Sequence, residues 1–240
     1  CILSIIIVLK RLHSLKCNED ERVRIFDIHI FGRIAAIAVP SILQQSFISV
    51  GNIIIQSVIN GFGTSVMAGY SAAVKLNNLV ITSLTTLGNG ISNYTAQNLG
   101  AGKKERIRPG FFAGGKLVWI ICIPFIILYW VAGRYLLLLF MEQSSTSAIE
   151  TGMQFLRIIS PFYMIVSIKL VADGVLRGAG KMGRFMITTF TDLILRVALA
   201  ILLSAHYGTA GIWSAWPIGW CISTTLSVVF FFTGEWNKKR

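Results

Sequence analysis

Seven polar side chains of this 240-residue chain fall on one face of a single helix. Ser71, Lys75, Asn78, Thr82, Thr85, Asn89 and Ser92 follow one another in alternating steps of four and three residues, the spacing that keeps side chains on one side of an α-helix. Ser41, Gln45, Ser49, Asn52, Gln56 and Asn60 repeat the pattern just upstream. Such rows offer hydrogen bonds to water or to a solute. They hold no nucleophile and base set, and the remaining sequence supplies none. His13, His29 and His206 are isolated, and Cys1, Cys17, Cys122 and Cys221 form no CxxC pair. No P-loop or HExxH motif is present, so the reading is a non-enzyme that needs neither cofactor nor metal centre.

Charges inside apolar segments are few, and each is a functional candidate by default. Lys75 stands in the second polar row with no acid on its own helix before Glu105. Lys169, Asp173 and Arg177 are spaced i, i+4, i+8, and Asp192 and Arg196 are spaced i, i+4 with the acid first, the better order for a helical pair. Asp173 and Arg177 also read as a self-neutralising structural pair near a helix end, where long side chains snorkel. Asp173 and Asp192 are the two candidates for an ion-coupling site.

Composition indicates the elements that must carry these residues. Only 13% of the residues are charged, 54% are hydrophobic, and the mean hydropathy is +0.69. A soluble domain carries roughly a quarter of its residues as charges, so the chain cannot coat a water-exposed globule. Apolar runs of membrane-crossing length recur along it. The expectation is an all-α integral membrane protein with six full spans: A over 31–59, B over 66–97, C over 111–131, D over 149–175, E over 185–205 and F over 211–233. Residues 1–9 are too short to span and read as the end of a preceding helix. Residues 10–30 read as a polar connector and 234–240 as a basic tail. In hydrocarbon an unsatisfied polar group costs several kcal/mol. The two long polar rows must therefore line water or pack on each other as interhelical hydrogen-bonding faces.

The net charge is +12, and its placement argues for a membrane rather than nucleic acid. Seventeen Lys and Arg residues lie in or beside the 10–33 segment, the B–C loop, the D–E loop and the tail. Only Arg134 and Arg157 lie on the opposite side. The positive-inside rule then places the connector, the B–C and D–E loops and the C-terminus in the cytoplasm. Pro40, Pro124, Pro161 and Pro217 interrupt spans A, C, D and F, and small residues at four-residue spacing (Gly110 and Gly114, Gly174 and Gly178) permit close helix approach.

Several stretches together resemble one family. They are IAVPSILQQS, NGFGTSVMAGYSAA, NYTAQNLGAGKKERI, GVLRGAGKM, FTDLILRV and YGTAGIWSAWPIGW, of which QNLGAGKKER and LRGAG are the more specific. They resemble the C-terminal lobe of the multidrug and toxic compound extrusion (MATE) transporters of bacteria. The resemblance implies a six-helix lobe, one half of a twelve-helix transporter, with spans A to F as helices seven to twelve. It implies a second, N-terminal lobe as partner, a lipid bilayer of the inner membrane, and export of small molecules against Na⁺ or H⁺. It also places the first helices of this lobe on a central cavity, with Gln45, Asn52, Gln56, Lys75, Asn78 and Thr82 as cavity residues. Sodium-coupled branches of the family carry an acid on the first helix of this lobe. This chain has none between Asp27 and Glu105, which would move coupling to an acid of the other lobe. The alternatives are a lipid-linked saccharide flippase of the same superfamily and a non-transporting fragment.

Overall fold

The computed structural model describes residues 5–7, 9–10 and 27–237. Most of the expected helix end at 1–9, the connector up to residue 26 and the basic residues 238–240 lie outside the described residues. The chain divides into two units, Cys1–Ala38 and Val39–Arg240. In the first unit, Asp27 accepts the backbone N–H groups of His29 and Ile30 on its carboxylate at 2.8 and 3.2 Å. This is the side-chain cap that starts a helix.

That helix, α1, runs over Ile28–Asn60. It is followed by α2 (Thr64–Gly100), a single 3₁₀ turn (Lys104–Arg106), α3 (Ile107–Leu138) and α4 (Thr146–Ile159). A second 3₁₀ turn (Ser160–Phe162) leads into α5 (Tyr163–Gly178), α6 (Met182–Phe232) and a last 3₁₀ turn (Glu235–Asn237). The described residues contain no strand. Every expected span falls on a helix. Span D is divided, because Pro161 sits in the 3₁₀ turn that joins α4 to α5, where a proline cannot supply the helical N–H. Spans E and F are the two halves of α6. Its 51 residues break at Gly208 (φ 57°, ψ −138°), a conformation open to glycine because it lacks Cβ. Pro40, Pro124 and Pro217 remain inside α1, α3 and α6.

Among the described residues, four helical stretches are long and apolar enough to cross a membrane: Ile28–Asn60, Lys104–Leu138, Thr146–Gly178 and Met182–Phe232. At about 1.5 Å per residue, the last has length for two passes. The 37-residue α2 is long enough as well, but its polar row lowers its apolar content.

In the larger unit α5 is the hub. Val171–Leu176 is buried without interruption, and α5 packs against α2, α3 and α6. Glycine permits the closest of these approaches: a Cβ on Gly174 would meet the carbonyl oxygen of Gly88 on α2. An aromatic layer lies on one side of this crossing. Tyr70 stacks on Trp213 with centroids 5.2 Å apart, and Phe155 meets both rings edge-on. Edge-to-face and offset pairs add attraction beyond their buried area. Tyr129 donates to the Leu76 carbonyl at 2.7 Å and Tyr163 donates to Asn77 Oδ1 at 3.0 Å, while the indole N–H groups of Trp213 and Trp216 have no partner among the described residues. At the opposite end Phe111 stacks on Phe231, and Lys181 pairs with Glu235 at 2.8 Å. The fold gathers the basic residues of the α2–α3 and α5–α6 connections at this end.

Candidate functional site

Helix α2 has two unlike faces. Tyr70, Ala73, Leu76, Asn77, Val80, Leu84 and Gly88 are buried in the bundle. The polar row falls on the other side: Ser71, Lys75, Asn78, Thr82 and Asn89 are exposed, and Thr85 and Ser92 are half-buried. The row on α1 behaves likewise, with Gln45, Ser49 and Asn52 exposed and Gln56 half-buried. The expected alternative, in which the rows pack on each other, is not the arrangement found. Side chains of both rows bond within their own helix: Gln56 donates to Asn60 Oδ1 at 2.9 Å, Ser49 to the Gln45 carbonyl at 3.0 Å, and Thr85 to the Ile81 carbonyl at 2.7 Å. Lys75 lies at one end of its row, 5.1 Å from the Phe140 ring centroid. It borders an open pocket of about 250 Å³ with Ser71, Glu142 and Ser145.

Both acid candidates are buried, in different surroundings. Asp173 on α5 is 2% exposed. Its Oδ2 receives the Lys169 ammonium at 2.7 Å, and its Oδ1 receives the hydroxyls of Ser227 at 2.7 Å and Thr188 at 3.1 Å. Lys169 lies on the same helix, while Thr188 and Ser227 come from the two halves of α6. One carboxylate therefore ties three helical segments together. The sequence reading paired Asp173 with Arg177, and the structure corrects this. Lys169 takes the carboxylate, while the Arg177 guanidinium lies 5.1 Å from the Phe185 ring centroid, its Nε without a hydrogen-bond partner among the described residues. The lysine one turn earlier points along the helix to the acid, and the arginine finds an aromatic face.

Asp192 on α6 faces Arg196 at 3.7 Å, too long for a hydrogen bond. Its Oδ1 and the Arg196 Nε have no partner among the described residues. The guanidinium lies 4.6 Å from the Trp216 ring centroid. Gly219, in the second half of α6, leaves room for the acid, since a Cβ there would come 2.9 Å from Asp192 Oδ1. The α1 segment of this unit packs beside the same stretch, with Gln44 donating to Thr189 Oγ1 at 3.2 Å and Phe47 edge-on to Phe190.

Sequence reasoning missed the hydroxyls of Thr188 and Ser227 and the buried amide of Asn77. Isolated Ser and Thr residues occur throughout apolar helices, and spacing along one helix cannot reveal a partner on another.

Long apolar helices that withdraw Lys169, Asp173, Asp192 and Arg196 into the bundle define an α-helical integral membrane protein. The MatE family pattern matches residues 40–202, and the chain belongs to the MatE family. The "Probable multidrug resistance protein YpnP" of Bacillus subtilis is 29% identical over 208 residues, covering 86% of this chain and 46% of the relative. The "Probable multidrug resistance protein NorM" of Thermotoga maritima is 23% identical over 215 residues, covering 86% and 45%. A Shewanella oneidensis FAD transporter is 26% identical over 136 residues, covering 57% and 28%. Among solved structures, an outward-facing multidrug resistance MATE transporter matches with a TM-score of 0.77 at 20% identity, covering 83% of this chain and 44% of the other. A MOP superfamily transporter from Pyrococcus furiosus matches equally well. The chain thus spans about half the length of the curated multidrug relatives it matches.

Proposed function

We propose that this chain is the C-terminal half of a cation-coupled efflux transporter for small organic compounds. Residues 31–233 form its lobe, residues 10–30 connect it to an N-terminal lobe, and residues 234–240 form its tail. The observation that carries this reading is the split character of α2. One side is buried in the lobe and the other presents hydroxyl, amide and ammonium groups outward. A polar face of that length is too costly to leave in lipid, so it belongs on a water-filled path, shared with the polar row of α1. Gln45, Asn52, Gln56, Lys75, Asn78 and Thr82 offer the hydrogen bonds that a mostly apolar solute needs for orientation. Alternating access moves one lobe against the other around that path. Na⁺ or H⁺ is the coupling ion. Within this lobe Asp192 is the better placed acid, because one of its oxygens is free to gain a partner, whereas those of Asp173 are occupied. The basic end of the lobe faces the cytoplasm of the cell membrane, in keeping with the charge bias.

Cysteine accessibility tests this reading in the full-length transporter. Cysteines at Ser71, Asn78, Thr82 and Asn89 are expected to react with a small hydrophilic thiol reagent, and substrate is expected to slow the reaction at Asn78. Cysteines at Leu76, Val80 and Leu84 are expected to stay protected. Equal protection of both sets in an active protein rules out the path. For sidedness, an impermeant reagent applied outside the cell is expected to label Ser144→Cys and to leave Lys103→Cys unlabelled; the opposite result inverts the lobe.

A further inference from the structure

The Lys169–Asp173 knot has the composition of a monovalent-cation site whose cation is part of the chain. Asp173 supplies a full negative charge, and Thr188 and Ser227 place two hydroxyl oxygens beside it, all of them 0–2% exposed. Lys169, itself 5% exposed, sets its ammonium 2.7 Å from Oδ2. A buried carboxylate needs compensation in low dielectric, and an ammonium and an alkali cation serve that need with the same charge and the same preference for oxygen.

We propose that Lys169 is a built-in counter-cation. Its ammonium occupies the cation position at Asp173, so α5 and the two halves of α6 are held together without a bound metal ion. Tethering matters here. A free cation must be held against dilution, whereas an ammonium one helical turn away acts at a high effective concentration. The other charge close to the knot is Arg177, which faces Phe185 and does not contact the carboxylate. Removing the amine while keeping Asp173, Thr188 and Ser227 should leave a charged, oxygen-lined vacancy, and sodium should take it. This goes beyond the proposed transport function, since it concerns binding and stability rather than export.

The test is the thermal unfolding midpoint of the full chain in detergent, compared in sodium chloride and in choline chloride at equal ionic strength. The native chain is expected to show no sodium-dependent rise that Asp173→Asn removes. Lys169→Gln is expected to be less stable in choline and to gain about 5 °C in saturating sodium. Lys169→Gln combined with Asp173→Asn is expected to lose that gain. Lys169→Arg, which keeps a tethered cation, is expected to respond to sodium no more than the native chain does. A sodium-dependent rise in the native chain that Asp173→Asn removes overturns the proposal, because an external cation then reaches the acid despite the lysine. A folded Lys169→Gln with no sodium response overturns it too. So does a Lys169→Gln chain that folds in neither salt, since sodium must be able to replace the amine. None of these readings involves transport, so a failure here leaves the efflux reading intact, and the reverse.

Discussion

Two acid–base pairs share the same four-residue spacing on adjacent helices, yet they are built differently. In α5 the base comes first, the contact is 2.7 Å, and both carboxylate oxygens are engaged. In α6 the acid comes first, the gap is 3.7 Å, and one carboxylate oxygen has no partner among the described residues. On an isolated helix the acid-first order is favoured by a few tenths of a kcal/mol, so helix-intrinsic preference points the wrong way. Tertiary hydrogen bonds decide. Each hydroxyl bond to a charged group contributes about 1.5–3 kcal/mol, and Asp173 has two from other segments. Asp192 has none, and its base is drawn over Trp216, where a planar guanidinium gains more than a point-like ammonium would. A closed pair is suited to holding helices together; an open one is suited to exchanging a partner.

The largest expected effect comes from removing Asp173, with Asp192 as the contrast. Asp173→Asn strands the Lys169 ammonium and is expected to cost about 3–5 kcal/mol of stability. Asp192→Asn breaks no hydrogen bond among the described residues, leaves Arg196 its aromatic face, and is expected to cost about 1–2 kcal/mol. Thermal unfolding in detergent measures both, and equal losses would erase the distinction between the pairs. In vesicles carrying the whole transporter, Asp192→Asn is expected to lose ion-driven export while keeping its fold. Retained export there removes Asp192 from coupling.

The hydroxyls sharpen the same contrast. Ser227→Ala is expected to cost about 1.5–3 kcal/mol, because it takes a short, buried bond from a charged acceptor. Thr188→Val is expected to cost less, since its bond to Asp173 is longer and its hydroxyl also donates to the Phe185 carbonyl. A reversed order would mean that Ser227 is not the principal donor. Gly219→Ala probes the open pair from the other side. Its Cβ crowds Asp192 Oδ1, with an expected cost of about 1–3 kcal/mol from overpacking. Unchanged stability would show that the carboxylate turns freely away. The smallest effect is expected at the exposed pair of Lys181 and Glu235, with side chains 38% and 66% exposed. Lys181→Ala is expected to cost about 0–1 kcal/mol, and less at high salt.

Much of the architecture was legible in the chain itself. Membrane helices announce themselves because hydrocarbon demands long apolar runs with internally satisfied backbones, and all six expected spans fall on helices. The amphipathic character of α2 was legible for a similar reason: a 3.6-residue period separates faces along one element, and the exposed row of Ser71, Lys75, Asn78 and Thr82 is the one read from spacing. Gly174 was legible as a contact point, though its partner Gly88 was not. The two hydroxyl donors of Asp173 were hidden. Thr188 and Ser227 lie 15 and 54 residues away in sequence, among many similar residues in apolar helices.

The sequence by itself therefore determined which segments are helical, which face of α2 is polar, where positive charge collects and to which family the motifs point. Each of these depends on neighbours within a turn or on composition summed over a span. Only the tertiary structure decided which base answers Asp173, that both polar rows stay outside the packed interior, and that Asp192 keeps an oxygen unpartnered. Those outcomes depend on which helices meet and at what height. A choice between Lys169 and Arg177, both four residues from the same acid, is settled by what the neighbouring helices bring to each side of it: hydroxyls around the carboxylate, and the ring of Phe185 for the guanidinium.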